Sequence, residues 1–164
     1  MTDFEPRSAL GTLQREGVRF VVIGGLAANL RGSPTVTMDV DICYARDPAN
    51  LGALAQALND LGARLRGVTD DVPFVLDAAT LAAGDHFTFN TVAGALDCIG
   101  TPSGTSGFED LDANADTMEF TNLTVRVASL DDLIRMKRAS GRPKDRIELE
   151  VLGALRDELG DTTD

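Results

Sequence analysis

Val18-Arg19-Phe20-Val21-Val22-Ile23-Gly24-Gly25-Leu26-Ala27-Ala28-Asn29-Leu30, then Thr37-Met38-Asp39-Val40-Asp41-Ile42-Cys43, is the stretch that decides the fold. Residues 18–23 form a largely β-branched apolar run, which reads as a buried strand, and Gly24-Gly25 ends it. Residues 26–30 are helix-compatible, and Gly32-Ser33-Pro34 stops that helix. Residues 37–43 alternate with period two. That pattern assigns Met38, Val40 and Ile42 to one face and Asp39 and Asp41 to the other.

Working outward, residues 8–16 read as a short helix on Leu10 and Leu13. Pro48 opens a longer one, with Leu51, Leu54, Leu58 and Leu61 at helical spacing and Gly62 as its stop. Phe74-Val75-Leu76 suggests a short strand. Residues 87–91 and 95–99 suggest a hairpin turning near Ala93-Gly94, with Asp97 in its second strand. Residues 100–116 form a polar loop with a helical turn at 108–111, and residues 123–127 form another strand. Ser129-Leu130-Asp131-Asp132 opens a helix that Gly141 ends. A last helix spans 144–159, with Ile147, Val151, Leu152 and Leu155 as its expected apolar face. This order predicts an α+β fold, a mixed sheet with flanking helices and a C-terminal helical pair. At 164 residues the chain is expected to be a single domain, its core at about 18–128 and its closing helices at about 129–159.

Composition narrows the function classes. The formal net charge is −11, which argues against a broad phosphate-coating surface. Its distribution is uneven, however. Arg135, Lys137, Arg138, Arg142, Lys144 and Arg146 stand against one acid, Asp145, a local charge of +5 that suggests a focused anion site. No apolar run is long enough for a membrane span, and the N-terminus lacks the basic and apolar stretches of a secretory signal, so a cytoplasmic location with no membrane partner is expected. Cys43 and Cys98 lack metal-ligand spacing and read as buried free thiols.

Asp39 and Asp41 lie a few ångströms apart on one strand face, where two like charges repel. A divalent cation resolves that conflict, and Mg²⁺ prefers one or two carboxylates with waters and phosphates to a closed protein cage. The competing reading is a half-exposed strand with both acids in solvent. Gly24-Gly25 favours the site, because a glycine turn after a buried strand leaves backbone N–H groups open to a phosphate. Neither G-x-G-x-x-G nor G-x-x-x-x-G-K-[ST] occurs, which excludes those two nucleotide-binding classes. His86, the lone histidine, reads as a surface or structurally bonded imidazole, and Ser33 reads as a turn residue able to reach a phosphate.

Residues 24–32, Thr37-x-Asp39-x-Asp41, Asp97, residues 129–134, Lys137 and Gly141-Arg142-Pro143-Lys144-Asp145 together resemble the minimal nucleotidyltransferases of the AbiEii and MenT-like toxin group. The resemblance spans roughly residues 18–155. It implies a polymerase-β-type nucleotidyltransferase that moves a nucleoside monophosphate from an NTP to an acceptor hydroxyl. By it, Asp39 and Asp41 hold Mg²⁺, or Mn²⁺ in its place, and Asp97 is the third carboxylate, a metal ligand or a base for the incoming hydroxyl. Gly24 and Gly25 meet phosphates, and Arg31, reaching in from the preceding helix, is the candidate substitute for the Arg that relatives carry at position 35. Lys137, Arg142 and Lys144 meet the triphosphate, and Asp145 orients Lys144 or Arg142. The acceptor is left open among tRNA or another RNA end, a protein and a small molecule. An antitoxin protein is the implied partner. The chain departs from such relatives in having Gly25 for Ser, Thr35 for Arg and Glu148 for Asp. Those departures keep open a catalytically degenerate nucleotide-binding or regulatory module of the same fold.

Overall fold

A computed structural model describes residues 3–69, 73–143 and 145–161. After helix α1 (Pro6–Arg15), strand β1 (Phe20–Ile23) runs directly into α2 (Gly24–Leu30), then come β2 (Asp39–Tyr44) and α3 (Pro48–Asp60). The middle holds β3 (Arg64–Leu65), α4 (Ala78–Ala83), the hairpin β4 (His86–Thr91) and β5 (Gly94–Ile99), and α5 (Phe108–Asn114). A second hairpin, β6 (Asp116–Phe120) and β7 (Leu123–Val127), precedes the closing helices α6 (Leu130–Ser140) and α7 (Asp145–Asp161). Among the described residues the strands form one seven-stranded sheet in the order β3-β4-β5-β2-β1-β7-β6. It is mixed: β1 runs antiparallel to β2 and parallel to β7, and β2 runs parallel to β5. The expected α+β architecture with a C-terminal helical pair is what the chain adopts.

Local chemistry accounts for most boundaries. Asp47 caps α3 by accepting the Asn50 amide at 3.2 Å, with Pro48 supplying the first helical residue. Ser129 caps α6 by accepting the Asp132 amide at 3.1 Å, and Gly141 ends that helix at φ +64°. Val21, Val22, Val40, Ile42, Leu54, Leu58, Phe89 and Leu96 lie in one buried core, joined by Leu10 and Leu13 of α1. Arg31 ties the end of α2 to the β6–β7 hairpin. Its guanidinium donates to the Ala128 and Val127 carbonyls, both at 3.1 Å, and pairs with Asp116 at 2.9 Å.

Several expectations require correction. Phe74-Val75-Leu76 is not a strand but an extended cover, with the Phe74 ring 6.4 Å from that of Phe89 and the Leu76 carbonyl taken by Asn59 at 3.0 Å. Met38 precedes β2 and is exposed, so it does not share the core face of Val40 and Ile42. Ile147 is exposed as well; Leu152 packs into the core as expected, and Leu149 joins it in place of Ile147. Cys43 and Cys98 are free and buried, as expected, and burial pushes the Cys43 thiol up to about 12. No helix among the described residues is long and apolar enough to cross a membrane.

Candidate active site

Sheet register assembles the acidic cluster. Because β2 and β5 are parallel neighbours, Asp41 stands opposite Asp97, and Asp39 follows one side-chain period away on the same face. Ligand atoms of Asp39, Asp41 and Asp97 all lie within 4.8 Å of one another. Burial, the charge of Asp97 and the charge of Asp39 together push the Asp41 carboxyl up to about 7, while Lys137 pulls in the opposite direction. Asp41 Oδ1 is buried and has no hydrogen-bond partner. An orphaned carboxylate oxygen among three converging acids is the donor set a hard divalent cation takes, so these residues fit Mg²⁺ or Mn²⁺.

The glycine pair is fitted to this cluster. Gly24 adopts φ +69°, and a Cβ there would stand 2.0 Å from Asp41 Oδ2. At Gly25 a Cβ would stand 2.9 Å from the Thr37 side chain, whose hydroxyl bonds the Asp39 carbonyl at 3.2 Å. The turn is therefore glycine because the Asp41 and Thr37 side chains occupy the space a Cβ needs.

Asp41 opens onto a cavity of about 550 Å³ between the sheet and the closing helices. Its wall includes Gly24, Gly25, Ser33 and Thr35 on one side and Lys137, Ser140, Arg142 and Glu148 on the other. Lys137 Nζ pairs with Glu148 at 2.5 Å and with Asp145 at 3.2 Å. Burial alone would lower the Lys137 pKa, but Glu148 and Asp145 hold it above the ordinary lysine value. Asp145 is buried and accepts from Ser140 at 2.5 Å, Lys137 at 3.2 Å and Arg142 Nε at 3.2 Å. Burial works against its charge, yet these donors keep its pKa below the ordinary aspartate value.

The site residues expected from sequence thus fall into three groups. Asp39, Asp41 and Asp97 converge, and Gly24, Gly25, Ser33, Lys137 and Arg142 line the cavity beside them. Asp145 stands behind the wall and holds Lys137 and Arg142 in place. Arg31 is not brought to the cavity, because its guanidinium is committed to the β7 end and Asp116. Lys144 lies outside the described residues. Ser140 and Arg66 carried no sequence signal, whereas Glu148 was marked by its position where relatives have Asp. His86 lies at the start of β4 and lines the far part of the cavity with Thr101 and Ser103.

This sheet, with its helices, is the nucleotidyltransferase fold. The structure of the lincosamide antibiotic adenylyltransferase LnuA bound to lincomycin superposes with a TM-score of 0.62 at 13% identity, covering 94% of this chain and 99% of that one. The antibiotic-resistance factor ANT(2'')-Ia in complex with adenylyl-2''-tobramycin gives 0.59 at 16% identity, covering 96% and 89%. Its solution structure gives 0.56 at 17% identity, covering 96% and 90%. At these identities the likeness is one of fold. The sequence itself matches no family model and no curated protein.

Proposed function

We propose that this chain is a divalent-metal-dependent nucleotidyltransferase that moves a nucleoside monophosphate from an NTP to an acceptor hydroxyl. The observation that carries the reading is convergence: Asp41, the member of a three-carboxylate cluster that lines the cavity, shares it with the glycine pair fitted against it and with Lys137. The acceptor oxygen attacks the α-phosphorus, the bond to the bridging oxygen breaks, and pyrophosphate leaves. A cation held by Asp39, Asp41 and Asp97 would neutralise charge on the attacking and leaving oxygens. Gly24 and Gly25 keep side chains away from the phosphate path. Lys137 has three N–H donors, two of them taken by Glu148 and Asp145, so one is left for a phosphate oxygen. Arg142 is fixed through Nε, and its terminal nitrogens make no hydrogen bond among the described residues, so they are free to grip the triphosphate. The acceptor's proton is released to solvent, because Asp97 is already shared between Arg66 and the cation site.

LnuA and ANT(2'')-Ia adenylylate antibiotics, which supports a small-molecule alcohol as one acceptor class to assay here. The resemblance to the AbiEii and MenT-like group supports an RNA end or protein acceptor and a toxin role, for which growth arrest on expression is the test. Purified protein with Mg²⁺ and each α-³²P-labelled NTP is expected to label a component of a cell extract or an aminoglycoside or lincosamide panel. Asp39→Ala and Asp41→Ala are expected to abolish labelling. Equal labelling by either variant would overturn the mechanism. Nucleotide binding without any transfer would favour the degenerate, regulatory reading that Thr35 and Gly25 leave open.

A further inference from the structure

Outside the donor cavity, the third carboxylate has a partner of its own. Arg66 follows β3, and its amide donates to the Thr88 carbonyl at 2.9 Å, which sets it opposite Thr88 on β4. Thr88 is in turn the ladder partner of Asp97. The Arg66 side chain therefore lies across β4, spanning two strand spacings of about 5 Å each, to reach the acidic cluster. There Nη2 donates to Asp97 Oδ1 and to the Phe89 carbonyl, both at 2.9 Å, and Nε donates to Asn90 Oδ1 at 3.3 Å. Three acceptors fix the plane of the guanidinium. Asp97 is mostly buried and Arg66 one-third exposed, so the pair is better shielded than a surface ion pair.

We propose that Arg66 is a positioning residue for the metal site, acting through Asp97. By gripping Oδ1 from the β4 side it fixes the carboxylate rotamer and leaves Oδ2 for the ion shared with Asp39 and Asp41. A ligating carboxylate whose other oxygen is hydrogen-bonded is held at its working angle, and loss of such a partner weakens metal binding about 10- to 100-fold. Lysine cannot reproduce the planar fork that bridges Asp97, Phe89 and Asn90. The inference rests on the metal-site reading above.

The test is Mn²⁺ binding to nucleotide-free protein, followed by the electron paramagnetic resonance signal of free Mn²⁺. Arg66→Gln is expected to weaken binding at least tenfold, and Arg66→Lys by a smaller factor. Asn90→Ala, which removes only the longest of the three contacts and leaves that to Asp97, is expected to weaken binding less than Arg66→Gln. In an Asp97→Asn background, Arg66→Gln is expected to add nothing. A purely structural arginine would weaken both backgrounds alike, and that result overturns the proposal. So does unchanged or tighter binding by Arg66→Gln, the latter meaning that the guanidinium competes with the metal. Should the parent protein bind no Mn²⁺ with or without NTP, the proposed function itself fails, a result distinct from either of these.

Discussion

Removing a charge from the acidic cluster is expected to stabilise the metal-free protein, and only at high pH. Folded Asp41 keeps its proton up to about pH 7, whereas an ordinary aspartate loses it near 3.8. Between those values the folded state binds the extra proton, so stability is full below the lower value and is lost as pH rises toward 7. At 1.36 kcal/mol per pH unit that interval has a ceiling of roughly 4 kcal/mol. Asparagine keeps the shape without the charge, but it still leaves a buried polar atom to satisfy. Asp41→Asn should therefore recover a part of the ceiling, about 1–3 kcal/mol at pH 8, and almost nothing at pH 5. For a chain of this length each kcal/mol moves Tm by about 2–4 °C. Calorimetry in EDTA at the two pH values reads this directly. Excess Mg²⁺ should then reverse the order, because only the parent gains stability from binding. A variant less stable than the parent at both pH values, or a difference independent of pH, would refute the account of Asp41.

Two further outcomes follow from contacts around the cavity. Gly24→Ala forces a left-handed residue worth roughly 1–2 kcal/mol and drives Asp41 aside, so both Tm and Mn²⁺ affinity should fall, whereas Gly153→Ala in α7, with open space around it, should be neutral or stabilising in calorimetry. Asp145→Asn removes the negative charge that Lys137 and Arg142 pair with and turns one of the two accepting oxygens into a donor, so a loss on the order of 2–3 kcal/mol is expected in denaturant titration, together with weaker NTP binding in calorimetric titration.

Where sequence and structure agree, a strong local signal was present. β1 and β2 carry apolar runs and period-two alternation, α3 has Pro48 and evenly spaced leucines, and α6 has Ser129 and Gly141 at its ends. Elements without such signals went unread. β3 is two residues long, and β6 is an edge strand joined to β7 through Thr121-Asn122, both at positive φ without a glycine to mark the turn. Asp97 could be placed on a strand from its own neighbourhood, but its meeting with Asp41 depends on the parallel pairing of β2 and β5. Arg66 reaches Asp97 through a β3–β4 pairing that no local pattern encodes. Arg31, at the end of a motif, looked available to phosphate, yet tertiary packing gave it carbonyls to bond.

The basic window from Arg135 to Arg146 shows how a charge count along the chain differs from a field in space. Arg135 meets Asp110 and Asp132, Lys137 meets Glu148 and Asp145, and Arg142 meets Asp145. Three of those four acids come from outside the window, so most of its apparent excess is already matched. What survives is directed donors, one N–H of Lys137 and the terminal nitrogens of Arg142, beside a cluster of three acids. A triphosphate brought against Asp39, Asp41 and Asp97 adds further negative charge to a site whose two nearest cations are largely spent. A divalent cation from solution would restore the balance, and Asp41, with its orphaned buried oxygen, stands where the carboxylates and the cavity meet.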